Sequence, residues 1–176
     1  MNKDISLLPD YPALKKLAAA LWQQDSTFHG AAVMVGSGFS RSASSTGDII
    51  KKPPLWNDLS KVLSEELETD NKDPLRLAEE YRAYFGQQAL HELLEKEVND
   101  ASWEPSELHK FLLELPWSDV LTTNWDSLLE RASDDIHQPV YSVVFKQEDL
   151  SNARSPRIAK LHGTLGRSKE LVFTQE

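Results

Sequence analysis

The chain has 176 residues, the length of about one domain, and 40% of them are apolar and 27% charged, as in ordinary globular proteins. It contains no cysteine, which excludes disulfide scaffolds, thiolate metal sites and thiol catalysis. The formal net charge of −9 speaks against nucleic-acid binding by the bulk surface, because that affinity comes mainly from Lys and Arg side chains on phosphates.

Apolar runs and amphipathic segments alternate along the chain, which predicts a parallel α/β architecture. In chain order, the patterns predict a helix over 12–24, a strand over 31–35, a loop over 36–54, helices over 56–67, 74–85, 87–98 and 105–115, a strand over 119–121, a helix over 126–132, strands over 140–145 and 157–161, and a further strand over 171–173. Pro105 is placed as a first-turn proline of its helix.

The block 56–115 is too long for a simple crossover. We therefore predict a Rossmann-like parallel sheet with a helical insertion between its first and second strands. The chain stops directly after the strand predicted over 171–173, whereas a doubly wound sheet normally continues. Residues 1–176 are accordingly expected to be the N-terminal portion of one domain, with the remainder and any sensor domain outside this chain.

Three polar motifs follow predicted strands. They are Gly36-Ser37-Gly38-Phe39-Ser40, Thr122-Thr123-Asn124-Trp125-Asp126 and Lys160-Leu161-His162-Gly163. Open α/β sheets bind ligands at the carboxyl ends of their strands. The three motifs are therefore expected to converge on one crevice.

The glycine motif has the chemistry of a phosphate site, since glycines let backbone N–H groups approach an anion closely. Its Gly-x-Gly spacing lacks the third glycine of the dinucleotide fingerprint. The motif taken alone therefore fits a plain strand-to-loop turn as well as it fits a phosphate site. Arg41 either adds a cation for the phosphate or is an ordinary surface arginine.

Asn124 both donates and accepts hydrogen bonds, which suits the positioning of a water or a ribose hydroxyl. The alternative is that it caps the helix that follows. Asp126 is predicted to lie in the first turn of that helix, where the helix dipole favours a carboxylate. His162, at the end of a strand, is a candidate general base, although a lone histidine is by default structural.

Together the three motifs resemble the sirtuin family, which has a Gly-Ala-Gly-x-Ser loop, a Thr-Gln-Asn-x-Asp turn and a His-Gly pair in this order. The Thr-Thr-Asn-aromatic-Asp form, and Pro54-Leu55-Trp56-Asn57-Asp58-Leu59 after the glycine loop, are typical of sirtuin-like domains in bacterial antiphage defence proteins. The resemblance spans 31–166. Ser37 stands where the family usually has alanine, and the four cysteines of the deacylase zinc site are absent.

The resemblance implies that NAD is the substrate and that no metal is needed. Asn124 would contact the nicotinamide ribose and help to place the attacking water, and His162 would act as general base or orient the ribose hydroxyls. Asp126 would bind the nicotinamide carboxamide. The remaining cofactor contacts would come from Gly36, Ser37, Gly38, Phe39, Ser40, Arg41, Thr123 and Gly163.

The function that the resemblance implies is an NAD hydrolase that cleaves the nicotinamide–ribose bond and depletes cellular NAD in antiphage defence by abortive infection. A homo-oligomer, or a larger complex with a sensor or ATPase partner, and a phage-derived trigger are expected partners. The alternatives are a non-catalytic module that senses NAD or ADP-ribose, an NAD-dependent protein deacylase or ADP-ribosyltransferase, and an assembly domain. No apolar run has the ~18 residues of a membrane span, so a cytoplasmic location without membrane contact is expected.

Overall fold

The architecture was obtained as a computed structural model that describes residues 4–22, 30–47 and 52–166. The strand predicted over 171–173 lies outside these ranges. None of the helices in the described ranges has the length and apolar composition needed to cross a membrane.

A four-stranded parallel sheet forms the centre of the fold, as predicted. Its strands are β1 (Ala32–Val35), β4 (Asp119–Thr122), β5 (Ser142–Val144) and β6 (Arg157–Lys160), and their spatial order is β1-β4-β6-β5. Each strand is a short run with β-branched residues. The central strands β4 and β6 are largely buried, whereas the edge strand β1 exposes Ala32 and Met34. The Rossmann-like α/β class is confirmed.

Helices occupy the predicted insertion and flank the sheet. They are α1 (Tyr11–Trp22), α2 (Ser37–Ser40), α3 (Trp56–Glu66), α4 (Pro74–Phe85), α5 (Gln87–Val98), α6 (Glu107–Glu114) and α7 (Leu128–Asp135). Asp73 caps α4 by accepting from Leu75 and Arg76, with Pro74 in the first turn, and Gly86 separates α4 from α5 with a φ of +90°. The four helices α3 to α6 lie between β1 and β4, the insertion that the sequence predicts.

The loop predicted over 36–54 contains regular structure. Residues 37–40 form α2, and β2 (Ser44–Ser45) pairs antiparallel with β3 (Trp103–Glu104). Two serines carry no apolar alternation, so the pattern could not reveal β2. Its partner is more than fifty residues away, and the tertiary pairing decides the structure.

Two helix starts differ from the prediction. Pro105 precedes α6, because Ser106 is the cap residue and its N–H donates to His109 Nδ1 at 3.1 Å. Asp126 precedes α7, which begins at Leu128. The Asp126 carboxylate nevertheless stabilises this helix start, since its Oδ1 accepts from the Leu128 N–H at 3.2 Å.

Two apolar clusters meet at the motif turns. The first lies against the sheet and includes Val35, Val120, Leu129 and Ile158. The second lies inside the insertion and is formed by Leu59, Leu63, Leu77, Ala78, Tyr81, Leu90, Leu94, Val98 and Trp125. Trp125 belongs to the turn after β4, so this turn is packed between the sheet and the insertion.

Candidate functional site

The three motifs follow strands that are neighbours in the sheet. Val35, Thr122 and Lys160, the last residues of β1, β4 and β6, are in register with one another. Because the strands are parallel, the residues that follow them emerge at one edge. The three motifs therefore lie at one edge of the sheet, as expected, although residues of the first two line one cavity and Lys160, Leu161 and Gly163 of the third line another.

A buried hydrogen-bond network joins the first motif to the second. Ser40 Oγ donates to Asp126 Oδ2 at 2.7 Å, and Asn124 Nδ2 donates to Ser40 Oγ at 2.8 Å. All three residues are buried, and Asn124 is 7% exposed. The backbone N–H of Asn124 donates to Thr122 Oγ1 at 3.0 Å. The Asn124 side chain is thus held by Ser40 and does not cap α7, whose cap residue is Ser127.

The network leaves one polar atom of Asn124 without a partner. Asn124 Oδ1 is buried and accepts no hydrogen bond from the residues that the structure describes. A buried amide oxygen in this state is destabilising unless water or a ligand donates to it. The orphaned oxygen therefore marks a position for a bound hydroxyl group or water.

His162 lies in the turn after β6, next to the turn that contains Asn124. Trp125 Nε1 donates to the His162 carbonyl at 3.2 Å, and the Leu161 N–H donates to the Thr122 carbonyl at 2.8 Å. Burial lowers the pKa of the imidazole below its ordinary value of 6.5. His162 Nδ1 is buried and has no hydrogen-bond partner within the described part of the chain.

Side chains of the motif turns and of the insertion line a cavity that is partly open to solvent and whose innermost part has a volume of about 40 Å³. Among the residues that the sequence predicted for the site, Ser37, Ser40, Thr123, Asn124 and Asp126 line this cavity. Trp56 and Trp103 line it from the insertion. Such a volume holds about one or two water molecules. This innermost part is therefore much smaller than a dinucleotide.

Other predicted residues lie around this cavity or away from it. Arg41 lines an adjoining groove of about 540 Å³ and pairs with Asp58 at 3.5 Å. Gly163 lines a separate hollow of about 400 Å³ beside β5 and β6. The Phe39 ring turns inward and meets the His109 ring edge-on at 4.9 Å, so it packs against the core.

Gly36 and Gly38 border open space. A Cβ built on either glycine meets no atom within 4 Å among the described residues, and neither has a positive φ. Backbone strain and close packing therefore do not explain these glycines. Room for a ligand to approach the backbone does fit them.

Sequence reasoning did not assign roles to Lys160 and Glu130, although Lys160 lies within the third motif. Lys160 Nζ lies 3.0 Å from Glu130 Oε1 and donates to the backbone carbonyl of Asp126. A signal was present, because Lys160 follows the fully buried Ile158 by two residues and so shares its face of β6. Within the described ranges, no group of three or more His, Asp or Glu side chains is arranged to hold a metal ion.

Comparison with known proteins defines the class. Residues 118–176 match the SIR2-like domain family, so the sirtuin-like character that the motifs predict is confirmed. The chain is similar to two curated relatives named NAD(+) hydrolase ThsA. The one from Cytobacillus dafuensis is 28% identical over 182 residues, covering 99% of this chain and 34% of the relative. The one from Acinetobacter baumannii (strain 532279) is 32% identical over 152 residues, covering 82% of this chain and 30% of the relative. The chain thus spans about a third of the length of these relatives.

Proposed function

We propose that this chain is part of an NAD hydrolase domain that breaks the nicotinamide–ribose bond, and that the domain depletes bacterial NAD in the cytoplasm during antiphage defence. The observation that carries the proposal is the buried, unpartnered oxygen of Asn124 at the junction of three sirtuin-like motifs. The names of both relatives support it, as does the match to the SIR2-like family.

The orientation of the Asn124 amide follows from the count of donors. A serine hydroxyl has one proton, and Ser40 gives its proton to the Asp126 carboxylate, which can only accept. Ser40 can then only accept from Asn124, so the NH₂ group faces Ser40 and Oδ1 faces the cavity. Oδ1 is thereby an acceptor for the attacking water or for a ribose hydroxyl.

His162 would receive the proton. Burial lowers the pKa of its imidazole, so the ring is neutral at pH 7 and able to accept. The leaving nicotinamide is neutral once the bond breaks, and the ribose gains oxocarbenium character, so water attack at the anomeric carbon needs mainly positioning and loss of one proton. Well-oriented groups lower such barriers by up to roughly 7–11 kcal/mol.

Asp126 and the glycine motif would bind the substrate. Both carboxylate oxygens of Asp126 already accept one hydrogen bond each, and each retains a further lone pair for the nicotinamide carboxamide. The open space beside Gly36 and Gly38 gives a phosphate access to the backbone. Arg41, at the edge of the adjoining groove, would add positive charge.

The small cavity supports conditional activity. The innermost part of the pocket has room for about one or two waters and not for a nicotinamide ring, so we expect the walls to move apart when NAD binds. Trp56 and Trp103 form the part of the wall that comes from the insertion. A trigger that acts through an oligomer, or through a sensor or ATPase partner, would move this wall. Before the trigger acts, the wall would protect the cell from constitutive NAD loss.

Product analysis tests the proposal. The intact, activated protein is incubated with NAD, with and without an acylated peptide, and nicotinamide and ADP-ribose are separated and measured. Equimolar release of both without peptide is expected. Tight binding of NAD without release of nicotinamide would instead identify a sensing module, and release that requires the peptide would identify a deacylase.

A further inference from the structure

Lys160 is a buried ammonium group directly behind the proposed site. Its side chain is 1% exposed, and its partner Glu130 on α7 is 13% exposed. Burial raises the pKa of Glu130, and the positive charge of Lys160 at 3.0 Å opposes this rise. Neither carboxylate oxygen of Glu130 accepts a hydrogen bond of good geometry from the described residues, so its contact with Lys160 is an ion pair. The contacts of the ion pair therefore offset only part of the free energy that the two charges lose on leaving water.

The second contact of Lys160 is with the turn after β4. Its Nζ donates to the backbone carbonyl of Asp126. The side chain of Asp126 receives the Ser40 proton, and Ser40 accepts from Asn124. Lys160 thus fixes the backbone at the far end of a chain of contacts that orients the Asn124 oxygen.

Stability alone does not account for this arrangement. Buried ion pairs that are replaced by apolar side chains of similar volume often leave stability unchanged or raise it. An apolar side chain at position 160 would fill the same space between β6 and α7, but it would not hold the Asp126 carbonyl. What a lysine provides at position 160, and an apolar side chain would not, is a hydrogen bond that fixes the position of the turn after β4.

We propose that Lys160, held by Glu130, is a positioning residue for NAD cleavage that keeps the Asn124–Asp126 turn in register with the end of β6. The proposal rests on the proposed function for its catalytic part. Its structural part stands separately, because the turn is expected to loosen when Lys160 is removed, whether or not NAD is the substrate.

The test uses the intact protein with the double substitution K160M/E130L, which removes both charges and keeps apolar volume. Two measurements are compared with the parent: the steady-state constants of nicotinamide release, and amide hydrogen exchange of residues 122–128. We expect exchange of this segment to be roughly tenfold faster. We also expect kcat to fall by about tenfold or more, since small misplacements of reacting groups have effects of this size. The melting temperature should stay within about 4 °C of the parent.

Two further variants sharpen the result. K110M/D135L removes the ion pair between Lys110 on α6 and Asp135 at the end of α7, whose charged atoms lie 3.0 Å apart. It should leave exchange of 122–128 and kcat unchanged. Glu130→Gln keeps the Lys160 amine and its bond to Asp126, so it should keep the slow exchange even where stability falls. K160M/E130Q, which removes the same two charges and leaves a neutral amide at position 130, serves as the test if K160M/E130L does not fold.

Parental exchange and parental kcat in K160M/E130L, or in K160M/E130Q if the first variant does not fold, would overturn the positioning role. Failure of the proposed function looks different. In that case the parent releases no nicotinamide, while the difference in hydrogen exchange between K160M/E130L and the parent persists.

Discussion

At the scale of single residues, Ser40 connects the two side chains on which the chemistry depends. Its hydroxyl touches both Asn124 and Asp126 and is 3% exposed. The resemblance assigns Ser40 to NAD phosphates, whereas its contacts here are within the protein. Its effect on the reaction is therefore expected to pass through the orientation of Asn124.

Ser40→Ala should lower kcat more than it raises KM. The substitution frees the Asn124 amide to rotate, and a loss of about 10- to 100-fold in kcat is in keeping with misplacement of a reacting group. It also leaves two buried polar groups unpaired, which should cost about 1–3 kcal/mol each in the free energy of unfolding. Steady-state kinetics and urea unfolding measure the two effects.

Ser42→Ala is the matched control. Ser42 also donates its hydroxyl proton within the protein, to the Phe39 carbonyl at 2.8 Å, and it is outside the cavity wall. Its removal should leave kcat near the parental value. A Ser40→Ala enzyme with parental kcat, or an equal loss in both variants, would contradict the role given to Ser40.

The imidazole of His162, as the proposed base, should make the reaction depend on pH. Because burial lowers its pKa below 6.5, the neutral base is fully present near pH 7, and kcat/KM should fall only as pH drops through the lowered value. The same sign applies to folding: the stability contribution of the neutral ring is complete above the unfolded pKa and is lost as pH falls through the folded pKa.

The pH profile of kcat/KM, recorded where circular dichroism shows the protein folded, measures this effect. An acid limb with an apparent pKa below 6.5 is expected. An acid limb centred above pH 7 would show that another group, or a charged His162, controls the step.

At the scale of elements, α2 and its cap residue Gly36 carry the two glycines that we propose to bind the substrate. Gly38 lies within this short helix with open space around it, so alanine fits without strain and is the better helix former. Gly38→Ala should therefore keep or slightly raise the melting temperature. The added methyl group faces the space assigned to the phosphate, and KM for NAD should rise by about tenfold or more, a loss of roughly 1.4 kcal/mol of binding.

Gly47→Ala provides the comparison for Gly38→Ala. Gly47 also borders open space and has no positive φ, but it follows β2 and is away from the cavity. Its substitution should change neither KM nor kcat. Equal KM values for Gly38→Ala and the parent would remove the glycine motif from the binding site.

The elements that periodicity predicted are those with long or strongly apolar patterns. The helices α3, α4 and α5 and the strands β1, β4 and β6 agree with the sequence prediction to within a residue or two. The errors fall where contacts distant in sequence or side-chain caps decide. Ser44 of β2 pairs with Glu104 of β3, which is distant in sequence. Ser106 is the cap residue of α6, and its N–H donates to the His109 side chain.

At the scale of the whole molecule, the convergence of the motifs could be predicted and their mutual contacts could not. Parallel strands bring Gly36, Asn124 and His162 to one edge, which follows from the α/β pattern alone. In the strand order of the sheet, β6 lies between β4 and β5. This position allows Lys160 to reach the Asp126 carbonyl. The order is set by packing of the helices, which no local pattern reports.

The proximity of the insertion to the site is also a property of the whole fold. Trp125 lies in the turn after β4, yet its ring belongs to the apolar cluster of the insertion and meets Trp56 at 5.2 Å. Arg131 on α7 donates to the carbonyls of Trp103 and Asp100 near the end of the insertion. A movement of the insertion is therefore expected to reach Asn124 directly.

The most direct measurement is the rate of nicotinamide release from NAD by the intact, activated protein. The same rate is measured for its Asn124→Ala and His162→Ala variants. Asn152→Ala and His137→Ala are the folded controls, since they remove the same residue types. The account predicts that the first two variants retain the parental melting temperature within a few degrees and lose about 100-fold or more in kcat, while the controls keep the parental rate. Parental rates in Asn124→Ala and His162→Ala would contradict the account.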